Sequence, residues 1–421
     1  MDLIKTENKR TGEYYYSIKH SSGLTIVVYP KKGFTSTYAS IGTKFGSVYN
    51  KFICNDRLIT VPDGTAHYLE HKLFESEDGD AFGKYAKTGA SANAYTSFDS
   101  TCYLFSCTDR FEESLRILLD LVQSPYFTKE TVAKEQGIIG QEIKMYDDSP
   151  DWRVMMNLLK GMFKNHPINI DIAGSVETIA EITPEILYDC YNSFYNLNNM
   201  TLCVAGNADP ETVLKIADEC LKKNEPFGTK AVFPEEPYSV NTSYVEQTLP
   251  VSVPMFELGF KEDAGSGFAS TKELICTNII LEAFAGEGSA LYRTLLDKKY
   301  INSTFGTEYL EGPGYRAAIF SGESAYAKEI TEIILEEIKK LHQNGISNED
   351  FEITKRSLYG KVVSGFDNIS SIAAEIINGE FTGRKIFDSV EQLASVTLDD
   401  VNERLKCQLD ENNYCLSVVK G

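Results

Sequence analysis

One stretch of this chain occurs twice, and that repeat limits the possible architectures more than any other feature. Residues 174–183 read GSVETIAEIT, and residues 388–397 read DSVEQLASVT. The same offset of 214 residues places Asn198-Asn199 and the apolar run to Val204 over Asn412-Asn413 and the run to Val418. Each copy holds an acidic helical stretch, then Asn-Asn, then a short apolar segment with strand character. Two matches at one offset point to a duplicated unit. The stretch Lys222 to Ser239 carries three prolines, mixed charge and little periodicity, and reads as a linker. The expected domains are therefore residues 1–222 and 240–421.

Within the first half, GLTIVVYP, STYASIGTKFGS, NAYTSFDSTCYLFSC and MTLCVAGN read as strands, while GTAHYLEHKLFES, FEESLRILLDLVQ and KETVAKEQGIIGQEIKMYDD have helical periodicity. In the second half, TKELICTNIILEAFAGEG, ALYRTLLDKKY and EITEIILEEIKKLHQNG read as helices, with strands at TFGTEYLE and RAAIFSGES. This order predicts an α+β fold in which each half is a mostly antiparallel sheet backed by helices. Neither a GxGxxG nor a GxxxxGK[ST] phosphate loop is present.

Charge narrows the function classes. Lys and Arg number 41 against 61 Asp and Glu, a formal net charge of −20. That balance argues against a nucleic-acid binder, which needs a basic face to displace counterions. It also argues against docking on anionic lipid, and no run is expected to span a bilayer. The nine cysteines are scattered without a CxxC pair, and the first 20 residues lack an apolar signal core. Reduced thiols in a cytoplasmic protein are the expectation.

The chemistry is concentrated at His67-Tyr68-Leu69-Glu70-His71, which takes two of the five histidines. On a helix, residues four apart lie on one face, so both imidazoles can reach one ion at about 2.0–2.1 Å. Glu70 can lean over the remaining coordination position and act as a general base. This is the reverse ordering of HExxH, with the same local geometry. An ordinary amphipathic helix with histidines at a core edge is the plain alternative.

Two histidines do not complete a catalytic zinc site, which needs a third protein ligand. The helical stretch Lys129–Asp147 offers Glu130, Glu135 and Glu142. Glu135 and Glu142 share a face, and Gly137, Ile138, Ile139, Gly140 and Ile143 around them suggest partial burial. A buried carboxylate needs a partner, and zinc or a metal-bound imidazole would be one.

HYLEHKLFES, GASANAYTSFDSTCYLFS and EQGIIGQEIKMYDD together resemble the pitrilysin/insulinase family of zinc peptidases, the inverzincins. The resemblance spans both halves. It implies one Zn2+ per chain held by His67, His71 and Glu142. Glu70 would be the general base and Glu135 a second catalytic carboxylate supporting the site. It implies that the Ala92-Asn93-Ala94 strand binds substrate as an added β-strand, which favours extended peptides. The length resembles that of half-size, two-domain bacterial members, which pair as homodimers or as heterodimers with a related subunit. The expected activity is zinc-dependent endopeptidase cleavage of short or unfolded peptides. The alternative is a non-catalytic, peptide-binding or scaffold subunit of a complex like the processing peptidases.

One departure stands out. Active members commonly supply an Arg and a Tyr from the second domain to hold the scissile carbonyl. Leu296 and Ser303 fall at those positions here. The candidate substitutes are Arg293, Tyr300, Tyr309, Tyr315 or a partner subunit, with Arg293 and Tyr309 the two expected to bind substrate.

Overall fold

The computed structural model describes residues 3–77, 79–223, 228–265 and 267–421. They form two compact units, one of residues 1–143, 171–232 and 363–387, the other of residues 144–170, 233–362 and 388–421. The compact units are thus not the contiguous stretches 1–222 and 240–421: each draws a segment from the other half of the chain.

The first unit is built on a seven-stranded sheet: β1 (Ile4–Glu7), β2 (Tyr14–Lys19), β3 (Thr25–Pro30), β4 (Thr37–Thr43), β5 (Ser91–Thr96), β6 (Thr101–Cys107) and β7 (Met200–Gly206). Its order is β1-β2-β3-β7-β4-β6-β5. The second unit has five strands: β8 (Tyr244–Thr248), β9 (Met255–Lys261), β10 (Gly306–Gly312), β11 (Tyr315–Glu323) and β12 (Tyr414–Lys420). Their order is β8-β12-β9-β11-β10. In each sheet one pair is parallel, β3 with β7 and β8 with β12, and the other pairings are antiparallel. The last five strands of the first sheet therefore match the second in order and sense. Strands β7 and β12 are the two apolar runs that follow Asn-Asn in the repeat.

The helices that matter here are α1 (Thr65–Leu73), α2 (Lys129–Asp147), α3 (Pro150–Met162), α4 (Pro184–Phe194), α5 (Thr271–Ala285), α6 (Ile369–Thr382) and α7 (Leu398–Leu405). The exchanged segments contain α3 and α6. Helix α6, from the second half, packs on β7 and β4, and α3, from the first half, packs on β12 and β9. Glycines in the sheets make room for them. A Cβ at Gly42 would lie 2.6 Å from Ile377, and one at Gly259 would lie 2.6 Å from the Met162 sulfur.

The run Thr271–Asp297 is, against expectation, long and apolar enough to cross a membrane by composition. It comprises α5 and a shorter helix, Ala290–Asp297, and Ile279, Ile280, Leu281 and Leu295 from it lie in the core of the second unit. All nine cysteines are free, and seven of them are buried.

Candidate active site

Helix α1 starts at Gly64, whose φ of +89° favours glycine; a Cβ there would also strike the Ala173 carbonyl at 2.4 Å. The helix is almost wholly inside: Tyr68 and Leu69 are buried in the core, and His67 and Glu70 are 8 % and 7 % exposed. The apolar face anchors the helix and the polar face is thereby fixed in direction. The His67 and His71 rings stand 4.6 Å apart.

Helix α2 brings the carboxylates. Glu142 lies with one oxygen 3.7 Å from His67 Nε2 and the other 3.4 Å from His71 Nε2. One donor atom each from His67, His71 and Glu142 lie within 4.8 Å of one another. Ligands of a tetrahedral zinc with bonds of roughly 2.0–2.2 Å are about 3.3–3.6 Å apart, so the gap is of the right size. The His71 tautomer agrees. His71 donates from Nδ1 to Glu135 at 3.0 Å, which leaves Nε2 as a lone-pair donor. Two imidazole nitrogens and a carboxylate are also the zinc donor chemistry, so these residues fit that ion.

Glu70 accepts a hydrogen bond from Thr96 Oγ1 at 2.6 Å. Burial pushes the Glu70 carboxyl up, and Glu142 adds to this; the Thr96 hydrogen bond and the two imidazoles oppose it but do not cancel it. A carboxylate so raised is better matched to proton transfer near neutrality. Burial alone would lower His71, but the Glu135 hydrogen bond and the charges of Glu70, Glu142 and Glu135 outweigh it and raise the ring. The same His71 hydrogen bond holds Glu135 below the usual carboxylate range.

Thr96 ends β5, the edge strand of the first sheet, whose exposure alternates along its length. Ala92, Asn93 and Ala94 all lie on it. Asn93 and Ala94 line a cleft of about 720 Å³ that also includes Glu70, His71 and Glu135. The Ala94 N–H donates to the Asn93 side-chain oxygen at 2.9 Å, a bond that an incoming peptide carbonyl can replace. Sequence reasoning did not pick out Thr96. The period-2 alternation that puts Thr96 on the face of Ala92 and Ala94 is the signal that would have found it.

The second-unit candidates lie differently. Arg293 turns back on its own helix and donates to the carbonyls of Gly288 and Ser289. Tyr309, on β10, donates to Glu262 at 3.2 Å and accepts from Arg404 at 2.9 Å. The two are not brought together. Leu296 and Ser303 are exposed.

Residues 61–176 match the family model described as Insulinase (Peptidase family M16), and residues 181–358 match that described as Peptidase M16 inactive domain. The chain is 38 % identical to YmfH of Bacillus subtilis (strain 168), named as an uncharacterized zinc protease, over 99 % of both chains. It superposes on the crystal structure of an M16-like peptidase from Alicyclobacillus acidocaldarius with a TM-score of 0.93 and 32 % identity, covering 100 % of this chain and 99 % of that one. It is 25 % identical to a protein named as mitochondrial-processing peptidase subunit beta in Arabidopsis thaliana, over 77 % of this chain and 64 % of that one. The chain belongs to the pitrilysin/insulinase family, M16, in its half-length, two-domain form.

Proposed function

We propose that this chain is a zinc-dependent endopeptidase that cleaves short or unfolded peptides bound along β5. The carrying observation is the convergence of His67, His71 and Glu142 donor atoms beside Glu70, which Thr96 ties to that edge strand. Bound zinc would supply a Lewis acid and a water of lowered pKa. Glu70 takes a proton from the attacking water and passes it to the leaving amine nitrogen. Glu135 holds the His71 ring in place, and the open edge of β5 aligns the peptide backbone.

The cleft wall adds a substrate preference. Glu75, Glu77, Asp80 and Glu130 line it together with Lys134. Such a wall favours basic peptides at low salt. The free thiols fit a cytoplasmic location.

A second reading is a peptide-binding subunit of a heterodimer, favoured by the altered second unit, where Leu296 and Ser303 stand at the carbonyl-holding positions. Zinc analysis of purified protein, with peptide cleavage by wild type and Glu70→Gln, separates the two. About one zinc per chain with cleavage that Glu70→Gln abolishes supports the enzyme; zinc-free, inactive protein supports the subunit. Light scattering on the same sample reads homodimer against monomer awaiting a partner.

A further inference from the structure

Lys72 follows the metal-ligand candidate His71 directly and is completely buried. A buried ammonium needs a counter-charge. The structure gives it Glu75, three residues on, in close contact with the Lys72 ammonium. Glu75 is 30 % exposed and faces the cleft. The pair therefore joins a hidden cation to an acid of the substrate wall.

We infer that Lys72 is a specificity-setting residue: by neutralising Glu75 from behind the wall, it limits the cleft's preference for basic peptides. This rests on the reading of the cleft as a peptide site. The wall already holds Glu77, Asp80 and Glu130, so one more uncompensated carboxylate would strengthen a field that a cationic peptide reads directly. Lys72 acts through Glu75, because its own ammonium has no access to solvent.

Contacts other than the pair also hold the wall. Glu75 and Ser76 form a small hairpin with Gly79 and Asp80, with Ser76 donating to the Gly79 carbonyl at 2.7 Å. The Ala81 N–H reaches the Phe74 carbonyl at 2.9 Å, and the Phe74 and Phe82 rings stack 4.4 Å apart. Lys72→Met keeps the buried aliphatic volume, and the partly exposed Glu75 stays hydrated. The variant is therefore expected to fold with the wall in place and one charge changed.

The test uses two labelled extended peptides, one Lys-rich and one with Gln for each Lys, with binding read by anisotropy at low ionic strength. Glu70→Gln is the parent, so that cleavage does not intervene; zinc content and thermal melting are recorded for each protein. Adding Lys72→Met is expected to raise the Lys-over-Gln preference by about fivefold. Adding Glu75→Gln to that variant returns the preference to the parent's, and Glu75→Gln alone lowers it. High salt shrinks all three differences. An unchanged preference in a folded, zinc-loaded Lys72→Met protein overturns the proposal, as does an unchanged preference in Glu75→Gln. If the parent binds neither peptide, the cleft is no peptide site and both readings fall. If the parent binds peptide and Lys72→Met shifts the preference while wild type never cleaves, the role of Lys72 stands and the catalytic reading does not.

Discussion

Helices α1 and α5 hold the same place in their units. Helix α1 lies against β5 and α4; α5 lies against the matching strand β10 and α7. The polar side chains gathered there have opposite fates. In the first unit, imidazoles and carboxylates from α1 and α2 converge around a gap of ligand size. In the second, Arg404 of α7 donates to Glu262 at 2.5 Å, to Tyr309 at 2.9 Å and to Thr277 of α5 at 3.1 Å. Gln408 adds bonds to Glu262 at 2.8 Å and Thr277 at 3.0 Å. A guanidinium there holds the carboxylate from inside the protein. One framework thus supports a centre whose negative charge calls for an added cation and a centre that is neutralised by a guanidinium of its own chain.

The sharpest test of that contrast is chemical. Glu70→Gln should lower peptide cleavage by about a thousandfold while zinc content stays near that of wild type. His71→Ala should lose both. Near-normal cleavage by Glu70→Gln would remove the assigned base.

The next test is stability without metal. Arg404→Met leaves Glu262 buried without its guanidinium counter-charge, and should cost about 3–5 kcal/mol by urea unfolding. Glu142→Gln removes one of three crowded carboxylates in the first unit and should leave the zinc-free midpoint unchanged or higher. A large loss from Glu142→Gln and none from Arg404→Met would reverse the comparison.

Acid should strike the second unit. Burial is the main force that lowers His166, to about 4, although its bond to the Pro313 carbonyl opposes this. Its other nitrogen accepts the Ile168 N–H at 3.1 Å, so a proton there breaks the cap. The unfolded ring titrates near 6.5, and between these values the unfolded chain binds more protons. Stability is therefore full above about 6.5 and falls on the order of 3 kcal/mol as pH drops toward 4. Equilibrium unfolding across that range checks it; a flat profile would count against it.

A buried carboxyl in the same unit gives a pH dependence of the opposite sign. Burial first, then Glu308 and Asp151, push Glu257 up to about 8. Here the folded state holds the extra proton, so stability declines as pH rises from about 4.5 through 8. Glu257→Gln should raise Tm by about 3 °C or more at pH 8 and by less at pH 5.

The candidate metal site is legible because its residues obey local rules. His67 and His71 are one helical turn apart, and Glu135 and Glu142 share a face, so spacing alone restricts them. The repeat revealed two similar sheets for the same reason: strands β7 and β12 are short apolar runs after an identical Asn-Asn. The exchange of α3 and α6 left no such mark. A helix that packs on a sheet shows an apolar stripe, but nothing in the stripe says which of two equivalent sheets it will cover. Thr96 and the Lys72–Glu75 pair were missed because their importance lies in contacts made across a strand edge and a helix end. In the sequence Tyr309 is a candidate substitute for a carbonyl-holding tyrosine, and only the fold shows its hydroxyl committed to Glu262 and Arg404.

The crossed helices also constrain how this polypeptide can be divided. Severing the backbone between residues 223 and 239 would give two pieces, each carrying a helix that belongs on the other's sheet and missing its own. Neither piece alone could cover its apolar strands. Mixed together they could complement one another, and so could two copies of an ancestral single half. The duplicated chain thus keeps, inside one polypeptide, the mutual dependence expected of a pair of identical partners.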